Sequence, residues 1–195
     1  MEYRAAKSGL ARDVQKRINE KYSPTEAAKV LKWIRLLPTA AGIPQELVTS
    51  AQAIPEDVES ASTEEFFNFL RSGLVLGYII GCLKPDEVTQ RLGKTLWKVS
   101  DKPMFETSRQ RERIGAFLHF CQEMGVGSAS CFQTDQLYEQ TNLPQVIICL
   151  SQLGVEAQAK PGYVGPEGYW MQRHTENKRN FTEEQLRQGE TIMKL

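Results

Sequence analysis

Histidine and paired cysteine are what this 195-residue sequence most clearly lacks. It has two histidines, His119 and His174, and four cysteines, none of which forms a CxxC pair. An HExxH motif, a glycine-rich phosphate loop and a paired metal-ligand spacing are also missing. An enzyme, a metal site or a bound cofactor therefore has no motif to support it. We expect a non-enzymatic protein without a cofactor.

The one arrangement that suggests a nucleophile is His119 close to Cys121 on an apolar segment. Residues two apart on a helix do not face each other, so this pair is not positioned to activate the thiol. We expect His119 in the core or at its rim. All four cysteines lie among apolar neighbours, and we expect free buried thiols in a reducing compartment. They are Cys82, Cys121, Cys131 and Cys149.

Long apolar runs are also absent. A strongly apolar stretch between Arg71 and Lys84 has twelve residues without a charge, whereas a membrane-spanning helix needs about 20. No segment resembles a signal peptide. We expect an intracellular, cytoplasmic protein that has no membrane partner.

The sequence has no net charge, but its charges are unevenly distributed. Residues 1–37 hold nine basic and four acidic side chains, whereas residues 38–70 hold six acidic side chains and no basic one. A protein that binds nucleic acid through overall positive charge is therefore disfavoured. A polar protein surface remains open as a partner.

The apolar stretch at residues 72–83 predicts a central helix that is buried on nearly all sides. Its three glycines recur every four residues: Gly73, Gly77 and Gly81. They either form a face that lets another helix come close, or Gly73 ends a first short helix and a second one follows. In the second interpretation Ser62 caps the first helix and Glu65 closes a capping box. Pro85 then ends the second helix.

Two helices are predicted before this stretch. Residues 9–22 form a basic amphipathic segment, whose basic face either meets an acidic partner or is simply solvated. Ser23-Pro24-Thr25-Glu26 begins the next helix with a cap, a proline at the first helical position and a closing glutamate. We expect Trp33 of that helix to pack against the central helix, and Pro38 to end it. Residues 38–61 then predict a long acidic loop with at most one short turn of helix.

An irregular connection is predicted over residues 89–107, held by apolar anchors. The expected anchors are Leu92, Leu96, Trp97, Val99 and Phe105. An amphipathic helix then begins at Thr107 or Ser108 and ends at Gly125. Its polar face is expected to carry Arg109, Glu112 and Arg113.

A short helix is predicted around residues 131–139, and Asn142 caps a further helix that ends at Gly154. No stretch alternates as a strand does, so the predicted fold class is all-α, a compact helical bundle around the central buried helix. Residues 155–170 predict an extended arm, and Thr182 begins a last short helix.

Five stretches together resemble a calponin-homology domain of the single-copy calponin and transgelin type. They are FLRSGLVLGYIIGCLKPDEV at 69–88, MFETSRQRERIGAFLHFCQEMGV at 104–126, CFQTDQLYEQTNLPQVIICLSQLG at 131–154, and the flanks ARDVQKRINEKYSPTEAAKVLKWI at 11–34 and KRNFTEEQLRQGETIMKL at 178–195. The tail is the most specific match. The sequence departs from the family pattern at Gln136, where the family has Asp, at Ile79-Ile80-Gly81, and in a longer loop at 38–61.

The resemblance implies three parts: an N-terminal basic helical arm at 1–22, a calponin-homology domain at 23–156, and a C-terminal arm at 157–195. In the family this arm leads into an actin-binding repeat that opens Gly-Leu-Gln. The present sequence stops at Leu195, where that repeat would start. Either it is a piece of a longer chain, or this member lacks the repeat.

The resemblance also implies a function. The expected protein is a monomeric, non-enzymatic component of the actin cytoskeleton that binds or bundles actin filaments (F-actin) weakly as an isolated domain. The expected contact is the arm at residues 160–181, with Arg173, Lys178 and Arg179 as its basic residues, unless these are ordinary solvated charges. The alternative function is a signalling scaffold that docks kinases through the same domain. A microtubule-binding role resembles a different branch, and no nucleic-acid partner is expected.

Overall fold

The computed structural model describes residues 9–172 of the chain. Over that range the chain is helical and contains no strand, so the predicted all-α fold class is confirmed. The helices are α1 (Gly9–Asn19), α2 (Pro24–Leu36), α3 (Gln45–Gln52), α4 (Thr63–Leu70), α5 (Leu74–Leu83), α6 (Val88–Leu92), α7 (Pro103–Met124), α8 (Thr134–Tyr138) and α9 (Leu143–Gln158), with 3-10 turns at Pro85–Glu87 and Thr95–Trp97.

Helix α5 is the centre of the bundle. Every residue from Leu74 to Cys82 is buried, and α3, α4, α6 and α7 all pack against it. Helices α2 and α9 pack on each other, and α1 lies against α9. The sequence was therefore correct in placing the core around one short helix that lacks a polar face.

The break before α5 occurs at Gly73, whose φ of +75° is a left-handed conformation that favours glycine. Ser62 and Glu65 form the predicted capping box at the start of α4. Helices α4 and α5 are bent by 68° relative to each other. The interpretation of two successive helices is therefore correct.

Within the described residues no single helix is long and apolar enough to cross a membrane, and α4 and α5 pass that test only as a bent pair.

The other two glycines of α5 permit close packing. The interpretation that the glycines form a face for close approach therefore also holds in part. A Cβ atom built on Gly77 would overlap the ring of Trp97 and would lie 2.8 Å from Leu47. One built on Gly81 would lie 2.7 Å from Ile43. The absent side chains give α3 and the 3-10 turn at Thr95–Trp97 their place against α5.

Residues 38–61 are not the long loop that their prolines suggested. They contain the two-turn helix α3, which buries Leu47, Val48 and Ala51 and packs against α5. The three prolines obscured a short amphipathic pattern because one of them, Pro44, directly precedes the helix. The prediction of a loop with at most one short turn of helix therefore missed a helix of eight residues.

Two predicted helix ends also differ. Helix α7 begins at Pro103, four residues before Thr107, with proline at its first position, where its missing N–H costs nothing. Helix α9 does not end at Gly154 but continues to Gln158. Gly125 ends α7 as predicted, with a φ of +101°.

The connection between α6 and α7 is anchored by fewer side chains than expected. Leu92 and Trp97 are buried, and the indole N–H of Trp97 donates a hydrogen bond to the Arg91 carbonyl at 2.9 Å. Val99 and Phe105 are instead exposed. Packing in the core therefore does not account for these two apolar side chains.

Gly77→Ala should destabilise the fold. The added methyl group would overlap Trp97, and overpacking a core of this kind costs about 1–3 kcal/mol. Urea unfolding should therefore show a lower midpoint than that of the unsubstituted protein.

Gly115→Ala is the matched control, because Gly115 lies inside α7 and a Cβ there would meet no heavy atom within 4 Å. It should stabilise the protein by about 0.5–1 kcal/mol through helix propensity. If Gly77→Ala raised the midpoint as well, the close approach of Trp97 to α5 would be wrong.

Candidate functional site

The predicted contact residues Arg173, Lys178 and Arg179 lie outside the residues that the structure describes. The structure does describe the part of the predicted arm that precedes them. Residues 159–172, which we call the strap, contain no helix and return to the bundle after α9. The strap therefore decides where the chain leaves the domain.

Two tyrosines attach the strap to α2. The Trp33 indole N–H donates a hydrogen bond to the Tyr163 hydroxyl at 3.0 Å, and the Tyr169 hydroxyl donates one to the Lys29 carbonyl at 2.7 Å. Burial raises the pKa of both tyrosines above the ordinary value of 10.0. Both hydroxyl groups therefore stay neutral, and these attachments do not depend on pH in the physiological range.

Trp170 is the deepest anchor of the strap. Its ring is buried, meets the ring of Trp33 edge-on with centroids 5.6 Å apart, and covers Gly154, where a Cβ atom would overlap the indole. The Gln158 side-chain amide accepts a hydrogen bond from the backbone N–H of Trp170 at 3.1 Å and donates one to the backbone carbonyl of Trp170 at 3.0 Å. The Lys29 ammonium lies 5.1 Å from the centroid of the Trp170 ring.

Trp33 is fully buried, but its aromatic and hydrogen-bonding partners, Trp170 and Tyr163, belong to the strap. The sequence predicted a contact with the central helix instead. Because residues 155–170 have no periodicity, their three buried or half-buried aromatic side chains could not be assigned a place in advance.

A buried arginine holds a second part of the surface. Arg113 of α7 is fully buried and donates hydrogen bonds to the carbonyls of Leu96 at 2.7 Å, Ser72 at 3.1 Å and Lys98 at 2.9 Å. It also forms an ion pair of 2.6 Å with Glu106. One side chain thus joins the start of α5, the connection after α6 and the first turns of α7.

The prediction that Arg113 lies on the polar face of its helix was wrong. Helical spacing placed this charged residue on the polar face. It gave no sign that three backbone carbonyls converge on the guanidinium. Arg109 and Glu112 remain at least partly exposed, as predicted.

Glu106 is the acidic partner that makes this burial tolerable. Burial would raise its pKa, but hydrogen bonds from Arg113 and from the Ser100 N–H outweigh that effect and lower the pKa below the ordinary 4.5. The carboxylate is therefore charged at neutral pH. An isolated buried guanidinium would be costly, so the pair and its carbonyl acceptors must be kept together.

The segment that Arg113 holds presents apolar and basic side chains to solvent. Val99 is 51% exposed, Met104 84% and Phe105 55%, and the Lys102 ammonium lies 5.6 Å from the Phe105 ring. Lys98 is exposed beside them. We call these five residues the basic apolar patch. Its composition is that of an interaction surface, since large exposed apolar side chains seldom cluster without a partner.

The strap and the basic apolar patch lie near opposite ends of α7. The strap begins beside the end of that helix, where Lys160 and Tyr163 line a small cavity together with Met124. The patch lies at the start of α7, and a helix of 22 residues is about 33 Å long. The two surfaces are therefore separate candidates.

A third basic surface is α1. Lys16, Arg17 and Lys21 are exposed on it and beyond its end, as is the apolar side chain of Val14. The Gln15 amide donates a hydrogen bond of 2.7 Å to the Thr141 carbonyl, which attaches α1 to the segment between α8 and α9. The helix buries none of its residues.

His119 and Cys121 do not form a reactive pair. The His119 side chain is 75% exposed and its Nδ1 lies 2.9 Å from Glu123, whereas Cys121 is buried. The expectation that His119 lies in the core or at its rim was therefore wrong. Cys82 and Cys149 are buried as predicted, but Cys131 is only half-buried because it belongs to a connecting segment.

Among residues 9–172, no group of three or more His, Cys, Asp or Glu side chains could hold a metal ion.

Comparison with known proteins identifies the architecture. A model of the calponin homology (CH) domain matches residues 45–159, from the start of α3 to the start of the strap. The chain belongs to the calponin-homology family. Myophilin from Echinococcus granulosus is 30% identical to it over 188 residues, which cover 96% of this chain and 84% of myophilin. Because that likeness includes both flanks, this is a single calponin-homology-domain protein of the calponin and transgelin type.

In this calponin-homology domain, Arg113→Met should lower the free energy of unfolding by about 3–5 kcal/mol, because Glu106 would lose its buried partner and three carbonyls would lose a donor. Arg109→Met is the control. Arg109 is on the same helix and donates one hydrogen bond to the Lys98 carbonyl, so its loss should cost only about 0.5–1.5 kcal/mol. Equal losses in urea unfolding would contradict the central role of Arg113.

Glu106→Gln should change the pH dependence of stability. A carboxyl group whose pKa is lowered by folding adds stability above its unfolded pKa, and that stability is lost as pH falls through the folded value. The calponin-homology domain should therefore be more stable than the Glu106→Gln variant at pH 7, and the difference should shrink once the pH falls below 4.5. Unfolding free energies measured against pH test this, and a difference independent of pH would show that Glu106 is not the titrating group.

Proposed function

We propose that this calponin-like cytoskeletal protein binds actin filaments, weakly as a single domain and without catalysing a reaction. Membership of the calponin and transgelin type supports the proposal, as does a likeness to myophilin that is not confined to the domain. We further propose that residues 1–22 and 157–195 are arms that flank a calponin-homology domain at 23–156.

The observation that carries the proposal is the anchoring of the strap. Trp170 is buried against Trp33 and Gly154, and Arg173 follows it by three residues. The arm with Arg173, Lys178 and Arg179 therefore starts from a fixed point on the domain. A fixed starting point lowers the entropy that a charged segment loses when it binds a surface.

The distribution of charge favours one orientation on an acidic filament. Acidic side chains are exposed between α3 and α4 and along α4, and an acidic partner would be repelled there. They are Glu56, Asp57, Glu59, Glu64 and Glu65. We therefore expect an acidic filament to meet the domain on another part of its surface. Exposed ion pairs contribute about 0–1 kcal/mol each, so binding by three basic residues should be weak.

The full chain should co-sediment with actin filaments at low salt, and the bound fraction should fall steeply as salt is raised, because screening acts over about 8 Å at physiological ionic strength. Lys178→Glu with Arg179→Glu should abolish sedimentation and leave the thermal unfolding temperature unchanged. Lys16→Glu with Lys21→Glu on the α1 segment is the matched control, since it changes the net charge by the same amount at exposed positions.

A third double variant, Lys98→Glu with Lys102→Glu, tests the basic apolar patch separately. Loss of sedimentation in this variant alone would move the contact from the arm to the patch and leave the function intact. Loss only in the α1 variant would move it to that helix. If the unsubstituted chain fails to sediment at low salt, filament binding itself is wrong, and a kinase pull-down then tests the scaffold alternative. A tubulin control separates actin from microtubules.

A further inference from the structure

Three of the four cysteines meet at one place, although they come from three parts of the chain. Cys121 belongs to α7, Cys149 to α9, and Cys131 to the segment that leads into α8. The sulfur atoms of Cys121 and Cys149 are 3.9 Å apart, and the Cys131 and Cys149 thiols are close enough for each to shift the pKa of the other. The fourth cysteine, Cys82, has the Tyr78 hydroxyl as its neighbour instead. Cys149 is thus the common partner of two other thiols.

The three thiols differ in their access to solvent. Cys121 and Cys149 are buried, whereas Cys131 is half-buried at the edge of the cluster. A reagent larger than a water molecule must therefore reach the cluster through Cys131. A half-buried thiol at the edge of a cluster of buried thiols has the arrangement of an entry residue beside a resolving residue.

The surroundings favour a thiolate at the buried position. The hydrogen bond between Cys149 and Cys121 lowers the pKa of Cys149 against the effect of burial, and the Phe132 N–H and the Cys131 thiol lower it further. Burial raises the pKa of Cys131 to about 11. Cys149 is therefore the better attacking group of the two, while Cys131 reacts slowly and only where the reagent is abundant.

We propose that Cys131 and Cys149 form an intramolecular disulfide when the native domain meets a low-molecular-weight disulfide such as oxidised glutathione. This oxidation site is independent of filament binding. Disulfides in reducing compartments are usually transient and redox-sensing, which fits a bond that one accessible thiol controls.

The reaction has two exchange steps. The Cys131 thiolate attacks one sulfur of oxidised glutathione, forms a mixed disulfide and releases one glutathione thiolate. The Cys149 thiolate then attacks the Cys131 sulfur and releases the second glutathione thiolate. The protein loses two thiol protons and two electrons, and one molecule of oxidised glutathione becomes two of reduced glutathione. The new bond would connect the segment before α8 covalently to α9.

The test is a fragment map of the native chain after incubation with oxidised glutathione and alkylation of the remaining thiols. Trypsin cannot resolve the cluster, because residues 114–159 contain no lysine or arginine and all three cysteines fall in one peptide. Cleavage after glutamate separates them into fragments 113–123, 124–139 and 140–156. We expect fragments 124–139 and 140–156 to be joined, and Cys82 to remain alkylated.

Three variants assign the roles. Cys131→Ser should abolish the cross-link, because the entry thiol is gone. Cys149→Ser should leave Cys131 trapped as the mixed disulfide with glutathione. Cys82→Ser is the control, since it removes a buried cysteine outside the cluster, and should cross-link as the unsubstituted chain does. Should Cys149→Ser fail to fold, the fragment map of the unsubstituted chain still decides.

Two results would overturn the proposal. One is a native chain whose cluster thiols resist oxidised glutathione until urea unfolds it, which would make all three structural. The other is a cross-link between fragments 113–123 and 140–156 without one to 124–139, which would place the bond at Cys121. Circular dichroism before and after oxidation establishes that the reacting protein is folded.

Discussion

The guanidinium group of Arg113 lies fully buried where three segments of the chain meet, and the arrangement of those segments depends on it. Removing a guanidinium from water is expensive, and the cost is offset only if nearly every donor finds an acceptor. Carbonyls of Ser72, Leu96 and Lys98 together with the Glu106 carboxylate provide them. Because these acceptors belong to the start of α5, the connection after α6 and the start of α7, none of the three can move alone. The basic apolar patch lies on the segment that this buried charge holds in place.

The second constraint comes from two glycines, which have no side chain beyond a hydrogen atom. Gly77 leaves the space that Trp97 occupies against α5, and Gly154 leaves the space that Trp170 occupies against α9. In both cases a large ring on an irregular segment is fixed by a helix that lacks one Cβ atom. The bundle therefore holds two irregular segments partly by fitting a large ring into the space that an absent Cβ atom leaves. The same device serves the connection before α7 and the strap after α9.

Much of the fold could be predicted because its signals are local. The Ser62 and Glu65 capping box predicts the start of α4 from four residues, and the apolar stretch of α5 predicts a buried helix from its own composition. The burial of Arg113 could not be predicted, because its acceptors are backbone atoms brought together by folding. Pro44 and the neighbouring prolines hid α3, and Gly154 suggested a helix end where it instead receives Trp170. Charge counts located the basic segments of the chain, but the meeting of three cysteines depends on how α7 and α9 pack and has no sequence signal.

The strap also has a mechanical consequence. Tension applied to the chain beyond residue 172 would first be borne by Trp170, whose ring is set against α9 and α2. If that anchor yielded, the load would pass to Tyr169 and then to Tyr163, each with its own hydrogen bond to α2. The attachments would therefore open one after another, as a zipper does, rather than sharing the force. Under a pull, these successive openings would lengthen the chain between the domain and the point where the force acts.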